Sequence, residues 1–83
     1  MKRSESAMAR EVDGELVILD VPSGRFFALN DVGRLIWDRL ESDCSHDQLV
    51  DAVMAGYAVD RDEASRDVAE LMAQLVDAGL VSE

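Results

Sequence analysis

Two turn signals separated by six residues constrain this chain most strongly. Asp13-Gly14 and Val21-Pro22-Ser23-Gly24 bracket the run Glu15-Leu16-Val17-Ile18-Leu19-Asp20. Asp-Gly favours a two-residue hairpin turn because both residues tolerate positive φ. Pro and Gly together mark the second reversal. The run between them is short, apolar and rich in β-branched residues, the pattern of a central strand covered on both faces. Ala7 to Val12 supplies a strand before it and Arg25-Phe26-Phe27-Ala28-Leu29 one after it. The first third of the chain therefore reads as a three-stranded antiparallel meander.

From Asn30 the period changes to that of helices. Asn30 or Asp31 can cap the first, and Val32, Leu35, Ile36 and Leu40 mark its buried stripe. The polar stretch Glu41-Ser42-Asp43-Cys44 breaks the pattern. Ser45 with Gln48 forms a capping box for a second helix, with Leu49, Val50, Val53, Met54 and Tyr57 inward and Gly56 able to end it. Asp60 with Glu63 forms another box, and Val59 and Ala64 are placed as a hydrophobic staple. Ala64, Val68, Leu71, Leu75 and Ala78 line one face of the third helix, with Met72 and Val76 beside it. Gly79 is placed to close that helix in a left-handed turn, with Leu80 folding back on Leu75. The expected fold class is α+β, winged helix-turn-helix-like: a three-stranded antiparallel β-meander followed by three α-helices. Residues 1–6 are polar and expected to be a flexible N-terminus; residues 7–81 form the domain.

Composition narrows the function. At 83 residues the chain holds one modest core. Its formal net charge of −10 disfavours nucleic acid and anionic membrane surfaces and suits a basic or neutral peptide. A winged-helix DNA-binding reading is disfavoured on the same ground. Its third helix sets Arg61 and Arg66 against Asp62, Glu63, Asp67, Glu70 and Asp77. One cysteine, Cys44, excludes an internal disulfide, and neither a signal sequence nor a membrane-length apolar run is present. A soluble, cytoplasmic protein is expected. An acyl-carrier reading would use Ser45 as the attachment serine, but His46 follows it where a leucine is expected, and the leading strands contradict an all-helical carrier.

No catalytic constellation is legible. Cys44 and His46 lie across a helix cap with no third group to orient them. The five glycines are isolated, so there is no phosphate loop, and no ligand set for a metal is spaced along the chain. The chain is expected not to be an enzyme and to need no cofactor or metal. A meander has two open edges, and the third strand, Arg25 to Leu29, carries no charge after Arg25, no proline and no glycine. Two arrangements fit: a loop covers that edge, or an extended peptide adds to it as a strand. In the second case a groove between this strand and the third helix would supply side-chain pockets. Its walls would be Phe26 or Phe27 with Val68, Leu71 and Met72, and its rim Asp67 and Glu70, which would steer a basic peptide. The same apolar stripe also fits a plain core.

Glu11-Val12-Asp13-Gly14-Glu15, Ser23-Gly24-Arg25-Phe26-Phe27-Ala28-Leu29-Asn30, Gly33-x-x-Ile36-Trp37-x-x-Leu40 and Leu71-x-x-x-Leu75-x-x-x-Gly79-Leu80-Val81 together resemble the PqqD family over residues 7–81. Members are recognition elements for ribosomally made, modified peptides (RiPPs). The resemblance implies that a leader peptide adds as a strand beside Arg25–Leu29 and packs on the third helix. The small acidic form with Phe26-Phe27 looks most like the stand-alone leader-binding subunit of lasso-peptide biosynthesis. That subunit presents a leader carrying a Tyr-x-x-Pro element to a separate cysteine protease. The alternative branch is a peptide chaperone for a radical SAM enzyme in PQQ or related peptide maturation. Trp37, Gly33 and Asn30 are read as packing, close-approach and capping residues rather than ligand contacts.

Overall fold

The computed structural model describes residues 1–82. In chain order the elements are β1 (Lys2–Arg3), β2 (Ala7–Val12), β3 (Glu15–Asp20), β4 (Arg25–Leu29), α1 (Asp31–Arg39), α2 (His46–Gly56), α3 (Arg61–Asp77) and β5 (Val81–Ser82). β2, β3 and β4 form the expected antiparallel meander, in the order β2-β3-β4. Asp13 and Gly14 both take positive φ, 51° and 82°, as a two-residue type I′ turn requires, and Val12 pairs with Glu15 across it.

The helix caps form as their residues dictate. Asn30 Oδ1 accepts from the Gly33 amide at 2.8 Å, and Asp60 Oδ1 from the Glu63 amide at 2.8 Å. Both halves of the Ser45–Gln48 capping box are present. Gly79, at φ 77°, closes α3 in a Schellman motif: its N–H donates to the Val76 carbonyl and that of Leu80 to the Leu75 carbonyl. Leu75 and Leu80 are both fully buried, the apolar contact that accompanies this motif.

One face of the meander packs on the helices. Leu16, Ile18 and Leu29 meet Ile36, Trp37 and Leu40 of α1 and its end, Leu49, Val50 and Val53 of α2, and Val68, Met72 and Leu75 of α3. Gly33 allows α1 to approach β4: a Cβ there would sit 3.2 Å from Leu29 Cβ.

Two expectations are corrected. β3 is not covered on both faces: Leu16, Ile18 and Asp20 are buried, whereas Leu19 is exposed and Val17 half-buried. The helices reach only one side of the sheet. Residues 1–6 are not a loose tail but part of the domain. Lys2–Arg3 pairs with Val81–Ser82. The Arg3 guanidinium lies 4.8 Å over the Trp37 ring and donates to the Trp37 carbonyl through Nε (3.0 Å) and Nη2 (2.6 Å). Stacking on a buried aromatic gives this arginine a fixed seat that composition does not reveal.

Asp20 joins the same corner. It is 7% exposed and accepts from Ser23 Oγ at 2.6 Å and Ser6 Oγ at 2.9 Å. These hydrogen bonds, Ser23 first, hold its carboxyl below its ordinary value of 3.8 despite burial. A depressed folded pKa contributes stability that is complete above the ordinary value and is lost as pH falls through the folded one. Asp20→Asn is therefore expected to melt lower at pH 7 and to lose less stability than the parent between pH 5 and about pH 2. Thermal melts of both proteins across that range check this; parallel acid slopes would refute the role assigned to Asp20.

Candidate functional site

The meander leaves β4 at an edge, with no strand of the described residues on its outer side. The hairpin fixes which of its backbone groups are free. Val12 and Glu15 close a two-residue turn and form a hydrogen-bonded pair, so pairs alternate from there. Glu15, Val17 and Leu19 bond toward β2; Leu16, Ile18 and Asp20 bond toward β4. Their partners on β4 are Leu29, Phe27 and Arg25. The N–H and C=O groups of Phe26 and Ala28 consequently point outward, unpaired. That is one repeat of an antiparallel ladder, ready for a further strand.

Side chains alternate the other way. Phe27 and Leu29 face the helices, Leu29 buried and Phe27 half-buried at the open margin. Phe26 and Ala28 lie on the opposite face, where Phe26 is 69% exposed. β4 runs antiparallel to α3: Arg25 stands by the C-terminal end of that helix, and Asn30 by its middle. Arg25 Nη2 lies 3.7 Å from Asp77 Oδ2, and its Nη1 donates to the Asp77 carbonyl at 3.4 Å. A cavity of about 250 Å³ opens at the other end, between the start of α1 and α3. Asn30, Val32, Gly33 and Ile36 line one side of it, and Asp67, Glu70, Leu71 and Gln74 the other.

The structure thus places Asp67, Glu70 and Leu71 on the α3 side of the cleft beside β4, with Arg25 at its far end by Asp77 and Phe27 half-buried on the helix-facing side of β4. It removes three other expected residues from that cleft. Val68 is fully buried in the core. Met72 is buried on a different flank of α3, where it lines a hollow with His46, Ala69 and Val76. Both lie one helical step away from the stripe Asp67, Glu70, Leu71, Gln74, the i, i+3, i+4, i+7 set that lines the cavity. The Phe26 ring belongs to the other sheet face, although its backbone remains at the edge. Asn30, Val32, Ile36 and Gln74 were missed. The spacing from Asp67 pointed to Gln74, and the others follow from a helix that starts directly after the edge strand.

The outer face of the meander forms a second surface. Met8, Val12, Leu19 and Phe26 are exposed there and, with Arg10 and Val17, outline a shallow apolar depression. Cys44 and His46 do not pair with each other. Cys44 Sγ donates to the Arg39 carbonyl at 3.1 Å, and His46 Nε2 lies 2.9 Å from Ser65 Oγ. Among the described residues no helix is long and apolar enough to cross a membrane, and no cluster of ligating side chains could hold a metal ion.

A meander with an open edge running beside the last of three helices defines a PqqD-like RiPP recognition element. The chain belongs to the PqqD family: the model described as coenzyme PQQ synthesis protein D matches residues 15–81. Two solved structures resemble it over essentially its whole length. One is "TbiB1 in Complex with the TbiA(beta) Leader Peptide", 32% identical over 100% of both chains, with a TM-score of 0.86. The other is "Lasso peptide synthetase B1 complexed with the leader peptide", 29% identical over 99% of this chain and 96% of the other, with a TM-score of 0.84. No curated protein matches the sequence. The family match begins at β3, whereas the structural matches extend over β1 and β2 as well.

Proposed function

We propose that this chain binds the leader region of a ribosomally synthesised precursor peptide as an added strand on β4, and delivers it to a separate maturation enzyme. The observation that carries the reading is the unpaired edge at Phe26 and Ala28 beside the α3 cleft. It is supported by two whole-length structural relatives, both complexes with leader peptides. The contact residues on this reading are Arg25, Phe26, Phe27, Ala28 and Leu29 of β4, with Asp67, Glu70 and Leu71 of α3.

Energetics say what the guest must bring. Four backbone bonds at a net ~0.5–1.5 kcal/mol each barely exceed the roughly 2–5 kcal/mol of ordering a flexible peptide. Two buried side-chain anchors at about 1.5–3 kcal/mol each supply the rest. The margin of Phe27 offers one apolar seat, which a residue of a Tyr-x-x-Pro element would fill, and the Leu71 side of the cavity offers a second. The domain acts as a binding module and not as an enzyme. Its bare outer sheet face stands apart from the cleft, so a partner can dock there while the leader stays bound. The relative described as lasso peptide synthetase B1 supports the lasso-peptide branch; on that branch the partner we propose is a cysteine protease and the site of action the cytoplasm. The family description supports the second reading, a chaperone for a radical SAM enzyme of PQQ-type maturation.

Fluorescence anisotropy with labelled leaders from a lasso-peptide precursor and a PQQ precursor tests and separates these readings. Binding tighter than about 100 μM, some 5.5 kcal/mol, is expected for the first. Weaker binding of every leader would refute strand capture. Phe27→Ala should weaken capture about tenfold or more and leave a folded protein, because its ring is only half-buried.

A further inference from the structure

The cavity between α1 and α3 is unlike the rest of the cleft. Val32 and the buried Ile36 on one side and Leu71 on the other give it an apolar strip beside the polar Asn30 and Gln74, and its α3 wall carries two carboxylates, Asp67 and Glu70. These stand three residues apart on one helix face, with Cβ atoms about 5–6 Å apart. At the other end of the cleft the acid on α3 is already matched, since Asp77 has Arg25. Among the described residues no cation forms an ion pair with Asp67 or Glu70. Arg34, the arginine that follows Gly33 on α1, is committed to Glu11 across the sheet. With eight basic residues against eighteen acidic ones, the chain has few cations to spare for this end.

Resting on the strand-capture reading, we propose that this cavity is a subsite for one lysine or arginine of the captured peptide, borne on the stretch that lies beside Leu29 and Asn30. An aliphatic stem crosses the Val32–Ile36–Leu71 strip, and the cationic head ends between Asp67 and Glu70. The pairing of shapes is specific: a short basic residue would not reach both carboxylates, and a long apolar one would leave them facing it unmatched. The cleft therefore reads position as well as composition. A basic residue belongs at the Asn30 end, whereas Arg25 makes the opposite end unfavourable for one.

A displayed library of random 12-residue peptides, selected separately on the intact parent protein and on the double variant Asp67→Asn/Glu70→Gln, tests this. Parent-selected binders should carry lysine or arginine at one fixed distance from their apolar anchors, and variant-selected binders should not. One selected peptide, synthesised with lysine and with acetyl-lysine at that position, should bind the parent about fivefold or more tightly in the lysine form. That ratio should fall to about one in the double variant and should shrink with added salt. Binders without a positioned basic residue, or equal affinity for the two peptides, would overturn the subsite while leaving strand capture intact. A library that yields no binders at all would overturn strand capture and the subsite with it.

Discussion

Replacing Ala28 with proline is expected to weaken leader binding about a hundredfold or more while the domain stays folded. The ladder alternation set by the Asp13-Gly14 turn points the Ala28 N–H away from β3. Proline at that position costs the sheet no internal hydrogen bond, and edge strands tolerate it where the N–H faces solvent. The guest strand loses a donor, leaves a buried carbonyl unsatisfied at about 1–3 kcal/mol, and meets the proline ring where its own backbone should lie. A loss near 2.7 kcal/mol is roughly a factor of one hundred. Phe26→Pro should act in the same way. Phe27→Pro should not: its N–H bonds to Ile18 of β3, so the substitution attacks the ladder itself and should reduce stability by ~3 kcal/mol or more. Circular dichroism melts paired with anisotropy distinguish the cases. An Ala28→Pro variant that binds like the parent would show that the guest does not sit on this edge.

Trp37→Ala should be the most damaging single truncation, at about 3–5 kcal/mol. A domain of this length holds roughly 4–12 kcal/mol in total, so the variant should lose much of its margin and melt ~15 °C lower or worse. Trp37 is 2% exposed, at the junction of α1 with the sheet and the N-terminal strand. Its removal leaves a void and takes the platform from under Arg3, loosening the β1–β5 pair. Trp37→Phe makes a useful contrast. The indole Nε1 is buried without a hydrogen-bond partner, so phenylalanine gives up volume but also removes an unsatisfied donor. It should cost less than half as much as alanine in urea denaturation. Equal losses would mean that the indole itself, not a buried ring beneath Arg3, governs this site.

Much of the fold was legible because its signals are local. Asp13-Gly14 specified one turn geometry, Ser45 with Gln48 one helix start, and Gly79 followed by Leu80 one helix end. Each is decided by neighbours within a few residues. The β1–β5 pair was not legible. Two residues carry no period, and Arg3 is held by Trp37, thirty-four positions away. The misreading of β3 has a different cause. Leu16-Val17-Ile18-Leu19 is apolar on both parities, and sequence alone cannot tell which face the helices will reach.

For the site, the edge strand and the stripe through Asp67, Glu70 and Leu71 could be read from pattern. Val68 and Met72 could not be separated from that stripe. A turn of about 100° per residue places them next to it, and whether they face cleft or core depends on how α3 is rotated against α1 and α2. Asn30, Val32 and Ile36 were read as cap and core. Their position at the cleft's end follows from the tight junction at Gly33, which brings the start of α1 within reach of α3.

The pairing of Lys2–Arg3 with Val81–Ser82 also bears on how such a domain can be joined to others. Backbones in adjacent strands run about 4.8 Å apart, so the chain enters and leaves the domain at nearly the same point. A module with that property can be spliced into a surface loop of a host enzyme, or have its ends joined and reopened elsewhere, without stretching the host or uncovering its own interior.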